Sequence, residues 1–231
     1  MPATLLPDAC GRRRSPAILP SFHRVLPPRN KGQRYPADPP TVEEVIAVMH
    51  AAGGDHDAVR LRGLIIVLWR AGVRISEALA LTESDLDLQR GAILVRHGKG
   101  GKRREVGMDR WAWEHLTPWL QLRVTLPVGA LFCVLRGPTA GRPWAPAGVR
   151  SQLHHVAARA GVRRRFAPHQ LRHAHAVEMS REGVPLLVIQ RQLGHADLAI
   201  TSVYLSGIDN TEIVHAVHER PAPMIPATNG L

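Results

Sequence analysis

The side chains best suited to chemistry in this sequence are arginines, histidines, a lysine and a tyrosine, and together they suit a phosphate. Arg74 stands in Ala71-Gly72-Val73-Arg74-Ile75-Ser76-Glu77-Ala78-Leu79. The glycine break places Arg74 near a helix N-terminus, where peptide dipoles attract anions and a guanidinium adds a planar fork for phosphate. Glu77, three residues on, shares its helical face and can hold it in place. Taken alone, the segment fits an ordinary surface Arg–Glu pair better. In Arg96-His97-Gly98-Lys99-Gly100-Gly101-Lys102-Arg103-Arg104, five of nine residues are Lys or Arg. Glycines let such a tip approach a phosphate backbone closely. A lysine there can bind phosphate or protonate a leaving oxygen; a solvated basic turn is the plain alternative.

Pro168-His169-Gln170-Leu171-Arg172-His173 puts His169, Arg172 and His173 on one helical face. Arg159, Arg163, Arg164 and Arg165 precede it without an intervening acid. The chain has 13 histidines, so a metal site has to be weighed. Histidines on one helix, with no nearby Cys, Asp or Glu, make a poor zinc pattern, and no metal or other cofactor is expected. His195 follows Gly194, a helix stop, and Tyr204 lies nine residues further on. Tyr204 is one of two tyrosines; on its own it would read as a core or interface residue.

These groups need a frame. Thr41-Val42-Glu43-Glu44 is a capping box, so folded structure is expected from Thr41, with Val45, Ile46, Val48 and Met49 as an apolar face. A second helix is expected from about Asp57 to Ala71, ended by Gly72, and a third carries Arg74, Glu77 and Leu81. Ala92-Ile93-Leu94-Val95 and Arg103 to Val106 read as a β-hairpin around the basic tip. Helical spacing returns at about 111–124, 147–160, 170–182, 186–193, 198–204 and 212–218. Cys133, in the apolar run Ala130 to Leu135, reads as a packed strand residue. The expected fold is mainly α with a small antiparallel β-sheet, an α+β arrangement.

Residues 1–40 differ from the rest. They hold nine of the nineteen prolines and carry a net charge of +5, from seven basic residues against Asp8 and Asp38. Such a segment cannot bury a core and reads as an extended or disordered arm or linker, with or without contact to DNA. The folded domain is expected over 41–220 and a flexible tail over 221–231. The whole chain has a formal net charge of +11, which favours a polyanionic partner, nucleic acid or an acidic membrane surface. Its two cysteines suggest no disulfide framework, which fits a reducing cytoplasm. No apolar run is long enough to span a bilayer.

Taken together, Arg74, Lys99, His169-x-x-Arg172, Gly194-His195 and Tyr204 resemble the catalytic domain of the tyrosine recombinases, the phage-integrase superfamily. The order matches, and so do the spacings: 25 positions from Arg74 to Lys99, 26 from His169 to His195 and 9 from His195 to Tyr204. The resemblance covers roughly Thr41 to His218. It departs from the common pattern at Ser206, where many members have histidine, and at Ala174-His175, where many have Thr-Phe. The resemblance implies a mobile-element integrase or similar site-specific recombinase on double-stranded DNA. Tyr204 would form a 3′-phosphotyrosine, Arg74 and Arg172 would bind phosphate oxygens, and His169 and His195 would hydrogen-bond the phosphate. Lys99 would protonate the 5′-oxygen, with Lys102 as runner-up. Glu77 would brace the site, and His173 would join it or serve structure. Lys102, Arg103, Arg104, Arg163, Arg164 and Arg165 would contact DNA. Most members carry a helical core-binding domain ahead of this one, for which 1–40 is too short and too proline-rich, so the chain looks more like a single-domain member, with a truncated element remnant as the alternative. Homotetramers synapsing two duplexes are implied, with 212–218 docking on a neighbour or on its own domain. Two rival readings use the same residues: a type IB topoisomerase-like enzyme, and a non-catalytic DNA-binding regulator on this fold.

Overall fold

Helix α1, Val42–Ala51, starts where the sequence places its cap: the Thr41 hydroxyl accepts from the Glu44 N–H, and the Glu44 carboxylate accepts from the Thr41 N–H at 2.9 Å. The computed structural model describes residues 38–195, apart from the Lys99 side chain. Tyr204 and the expected helices over 198–204 and 212–218 lie outside the described residues, as do 1–37 and the tail. Asp55 caps α2, His56–Arg70, by accepting from the Ala58 N–H. Leu61, Leu64, Ile65, Ile66, Val67 and Leu68 are all buried, so α2 is enclosed on most sides and forms the centre of the core. It packs against α4 (Arg110–Arg123) and α6 (Pro168–Arg181). Between them in sequence come α3, Ile75–Ala80, and α5, Pro146–Arg159.

The sheet is antiparallel, in the order β1 (Leu86–Asp87), β2 (Ala92–Val95), β3 (Arg104–Gly107). Its register pairs Leu86 with Ile93, Ile93 with Val106 and Val95 with Arg104. Ile93, Val95 and Val106 turn one face of the sheet into the core. Lys99–Gly101 forms a short 3-10 turn at the hairpin tip. The mainly helical fold with a small antiparallel sheet is the one the sequence predicts. Two local details differ. β1 had no strand signal, because it is two residues long and exists through its pairing with β2. Cys133 is fully buried, yet it makes an isolated bridge to Pro143, not a strand. Its carbonyl accepts from Arg60 at 2.8 Å, so the segment is held by a buried side chain where the ladder is absent.

Helix α7, Leu186–Leu193, closes the described chain and is ended by Gly194 in the left-handed conformation, φ +63°. Its buried residues are Ile189 and Leu193, which join Ala176 of α6 in a small second cluster. The Gln192 side chain pins α7 down. Its Nε2 donates to the Gly107 and Ala71 carbonyls, and its Oε1 accepts from the Gly107 N–H. Among the described residues, no helix is long and apolar enough to cross a membrane.

Candidate active site

Three chain segments far apart in sequence meet at one place: the start of α3, the first turns of α6 and the end of α7. Arg74 is the N-cap residue of α3. Its backbone N–H donates to Glu77 Oε2 at 2.8 Å and its guanidinium to Glu77 Oε1 at 2.9 Å. The other nitrogen of its fork lies 3.5 Å from the Gly194 carbonyl. Arg74 stays partly open to solvent, with 28% of its side chain exposed, whereas Glu77 is sealed at 2%.

Arg172 enters from the second turn of α6 and is 2% exposed. It donates to the carbonyls of Gly72 and Leu193, bridging the turn before α3 to the last turn of α7. Both carbonyls would otherwise be buried acceptors, so the guanidinium does structural work while holding its charge in the site. His169 sits at the exposed rim of α6, and the buried His173 follows one turn later. His195, half-buried, comes directly after Gly194.

The electrostatics follow from this packing. His195 is lowered from 6.5 to about 4 by loss of water, then by the charges of Arg172 and Arg74. His169 is lowered by the same causes, with His173 and Arg165 adding to them. Both rings are therefore neutral at pH 7, and each offers one N–H donor and one acceptor nitrogen. Burial opposes ionisation of Glu77, but the hydrogen bonds from Arg104 and from Arg74 outweigh it and hold its carboxyl at about 2.

The remaining expected site residues divide. Lys102, Arg103, Arg163 and Arg165 are exposed. Lys99 lies in the hairpin turn, its side chain outside what is described. Arg104 and Arg164, expected to face DNA, are turned inward. Arg104 makes a two-pronged pair with Glu77, at 2.9 and 2.8 Å. Arg164 is held by Glu44, the Pro39 carbonyl and Asp38. A signal for Arg104 was present: it lies two residues from Val106, so strand alternation puts both on the core face. Gln192 had none, because an exposed-looking helix glutamine reads as surface.

His175 also escaped the sequence reading. It is buried, and its ring lies over Gly72, whose φ is +62°. Burial, then Arg70 and Arg172, lower it from 6.5 to about 3, against an opposing pull from Asp109. An unfolded chain binds a proton here below pH 6.5, whereas the folded one does not until about 3. Stability from this group is therefore complete above 6.5 and is lost as pH falls toward the folded value. Urea unfolding at pH 7 and pH 4.5 should differ by about 2–3 kcal/mol on account of His175. His175→Phe should remove that part of the pH dependence; an unchanged slope would rule the assignment out.

Comparison with known proteins places this arrangement. The phage integrase family pattern matches residues 40–210, and the chain belongs to that family. It is 32% identical over 207 residues to tyrosine recombinase XerD of Mycobacterium tuberculosis, covering 85% of this chain and 63% of that protein. It is 35% identical over 152 residues to XerC of Lactobacillus delbrueckii subsp. bulgaricus, covering 63% of this chain and 50% of that one. The chain thus spans between half and two thirds of these curated relatives. Among solved structures, the XerA recombinase superposes with a TM-score of 0.67 at 27% identity, over 83% of this chain and 67% of that one. XerH bound to its palindromic difH substrate gives 0.66 at 28%, over 80% and 54%.

Proposed function

We propose that this chain is a site-specific DNA recombinase that cuts and rejoins strands through a covalent phosphotyrosine at Tyr204. The observation that carries the reading is the convergence of Arg74, Arg172, His169 and His195 on one site, with both guanidinium groups anchored from behind by Glu77 and backbone carbonyls. A phosphodiester resists nucleophiles because it is an anion, so its catalyst must supply placed positive charge and hydrogen bonds. Arg74 and Arg172 bind the non-bridging oxygens. Burial depresses His169 and His195 first and the guanidinium charges second; a bound phosphate offsets the second cause and makes both rings better bases. One of them accepts the Tyr204 proton as Oη attacks phosphorus. The 5′-oxygen leaves with a proton from Lys99. The tyrosyl ester keeps the bond energy for rejoining, so no nucleotide cofactor is consumed.

The partner is duplex DNA, contacted outside the site by Lys102, Arg103, Arg163 and Arg165, and the working assembly is a homotetramer holding two duplexes. Support for the DNA partner comes from the exposed placement of these cations and from XerH, whose solved structure contains its DNA substrate. The test begins by selecting a bound site from a random-sequence duplex library, then placing a nick beside the scissile phosphate. Wild type should accumulate a covalent protein–DNA adduct, and Tyr204→Phe should give none. Adduct formation by the Phe variant would remove Tyr204 as nucleophile; no adduct with wild type would remove the proposed function.

A further inference from the structure

Arg104 belongs to the basic hairpin by sequence and to the site by structure. Its side chain is 15% exposed, against 2% for its partner Glu77. The two guanidinium nitrogens meet both Glu77 oxygens at 2.9 and 2.8 Å. The same carboxylate takes the Arg74 backbone N–H and the Arg74 guanidinium. One buried carboxylate thus ties the strand after the hairpin tip to the phosphate-facing arginine. Arg104 also touches the other side of the site. A Cβ on Gly194 would lie 2.8 Å from Arg104 Nε and 2.9 Å from Cζ, so the Gly194 backbone rests on the guanidinium directly before His195.

We propose that Arg104 is a positioning residue for the strand-cleavage reaction, fixing Arg74 through Glu77 and His195 through Gly194, and that it does not contact DNA. The inference rests on the recombinase reading above. Its physical basis is the match between a planar fork and a carboxylate, which sets direction as well as distance. A freed Glu77 still pairs with Arg74 but has lost the partner that fixes its plane. The Arg74 fork then swings relative to the phosphate, and a shift of about 1 Å at such a group costs on the order of a hundredfold in rate. Because Arg104 sits on β3 directly after the tip, it also sets where the Lys99 turn stands relative to Arg74.

The test is a double-mutant cycle on single-turnover cleavage of the nicked duplex at saturating DNA, with Arg104→Gln, Glu77→Gln and the pair. Arg104→Gln should slow cleavage about a hundredfold, and the double variant should be no slower than the slower single one. Arg104→Lys keeps the charge and the fold but lacks the fork, and should not restore the rate. The salt slope of DNA binding should match wild type. A DNA contact would instead lower that slope by about 0.9 and leave cleavage at saturation unchanged. Either that pattern or fully additive losses overturns the proposal. If wild type forms no adduct, the recombinase reading falls, and the carbon-13 titration of the Glu77 carboxyl decides the positioning claim separately. It should move from about 2 toward the usual 4.5 in Arg104→Gln, with shifted Arg74 and His195 signals. Unmoved signals overturn it.

Discussion

Arg172→Lys should lose about a hundred- to a thousandfold in strand cleavage and about 1–3 kcal/mol in stability. Both losses have one origin. The guanidinium spans two carbonyls, Gly72 and Leu193, that belong to different elements. An ammonium on a four-carbon stem reaches one of them at most, so the other is left buried without a donor. On the proposed mechanism, the same change also removes the N–H fork that would hold the phosphate. Urea unfolding reads the first loss, and single-turnover cleavage well below the unfolding midpoint reads the second. A variant that cleaves within tenfold of wild type would show that Arg172 is a structural residue only.

Gly72→Ala carries the second large effect, about 3 kcal/mol or more in stability together with loss of cleavage. Residue 72 has φ +62°, which costs an L-residue roughly 1–2 kcal/mol. The added Cβ would also stand 2.4 Å from His175 Cδ2 and 3.0 Å from its Nε2. That α6 ring is buried against the turn, so overpacking adds about 1–3 kcal/mol. Either the ring or the turn must move, and the turn carries the carbonyl that Arg172 grips. The expected readouts are a lower unfolding midpoint and a cleavage defect with DNA affinity retained. Wild-type stability in Gly72→Ala would mean that the turn relaxes at no cost.

Much of this arrangement was legible in residue order. Capping at Thr41, the break at Gly72 and the stop at Gly194 are local chemistry, and the helices begin and end close to where those signals fall. The gathering of Arg74, His169, Arg172 and His195 came from family resemblance, since each motif alone fits an ordinary surface or core role. What stayed hidden depended on partners distant in sequence. β1 requires β2 across a turn, and Cys133 requires Arg60, 73 residues earlier. Arg164 looked like its neighbours Arg163 and Arg165 until Glu44, 120 residues away, claimed it. Arg104 is the instructive case, because charge pointed to DNA while strand alternation pointed inward. The buried carboxylate of Glu77 settled it, and nothing local to the hairpin announces that carboxylate.

The way α7 is fastened has a kinetic meaning. This helix contributes Ile189 and Leu193 to a small apolar cluster, while Leu186, Leu187 and Val188 stay exposed. Yet its final turn supplies the Leu193 and Gly194 carbonyls that Arg172 and Arg74 lean on, and the chain leaving it carries His195. An element whose apolar anchor is this small, held otherwise by polar contacts, detaches at lower free energy than the core around α2 unfolds. Each detachment takes two carbonyl props and an imidazole out of register together. On the recombinase reading, the fraction of time this helix is seated would multiply every rate constant of the site. A substitution that tightens its apolar anchor, far from any phosphate, acts on the chemistry through occupancy alone.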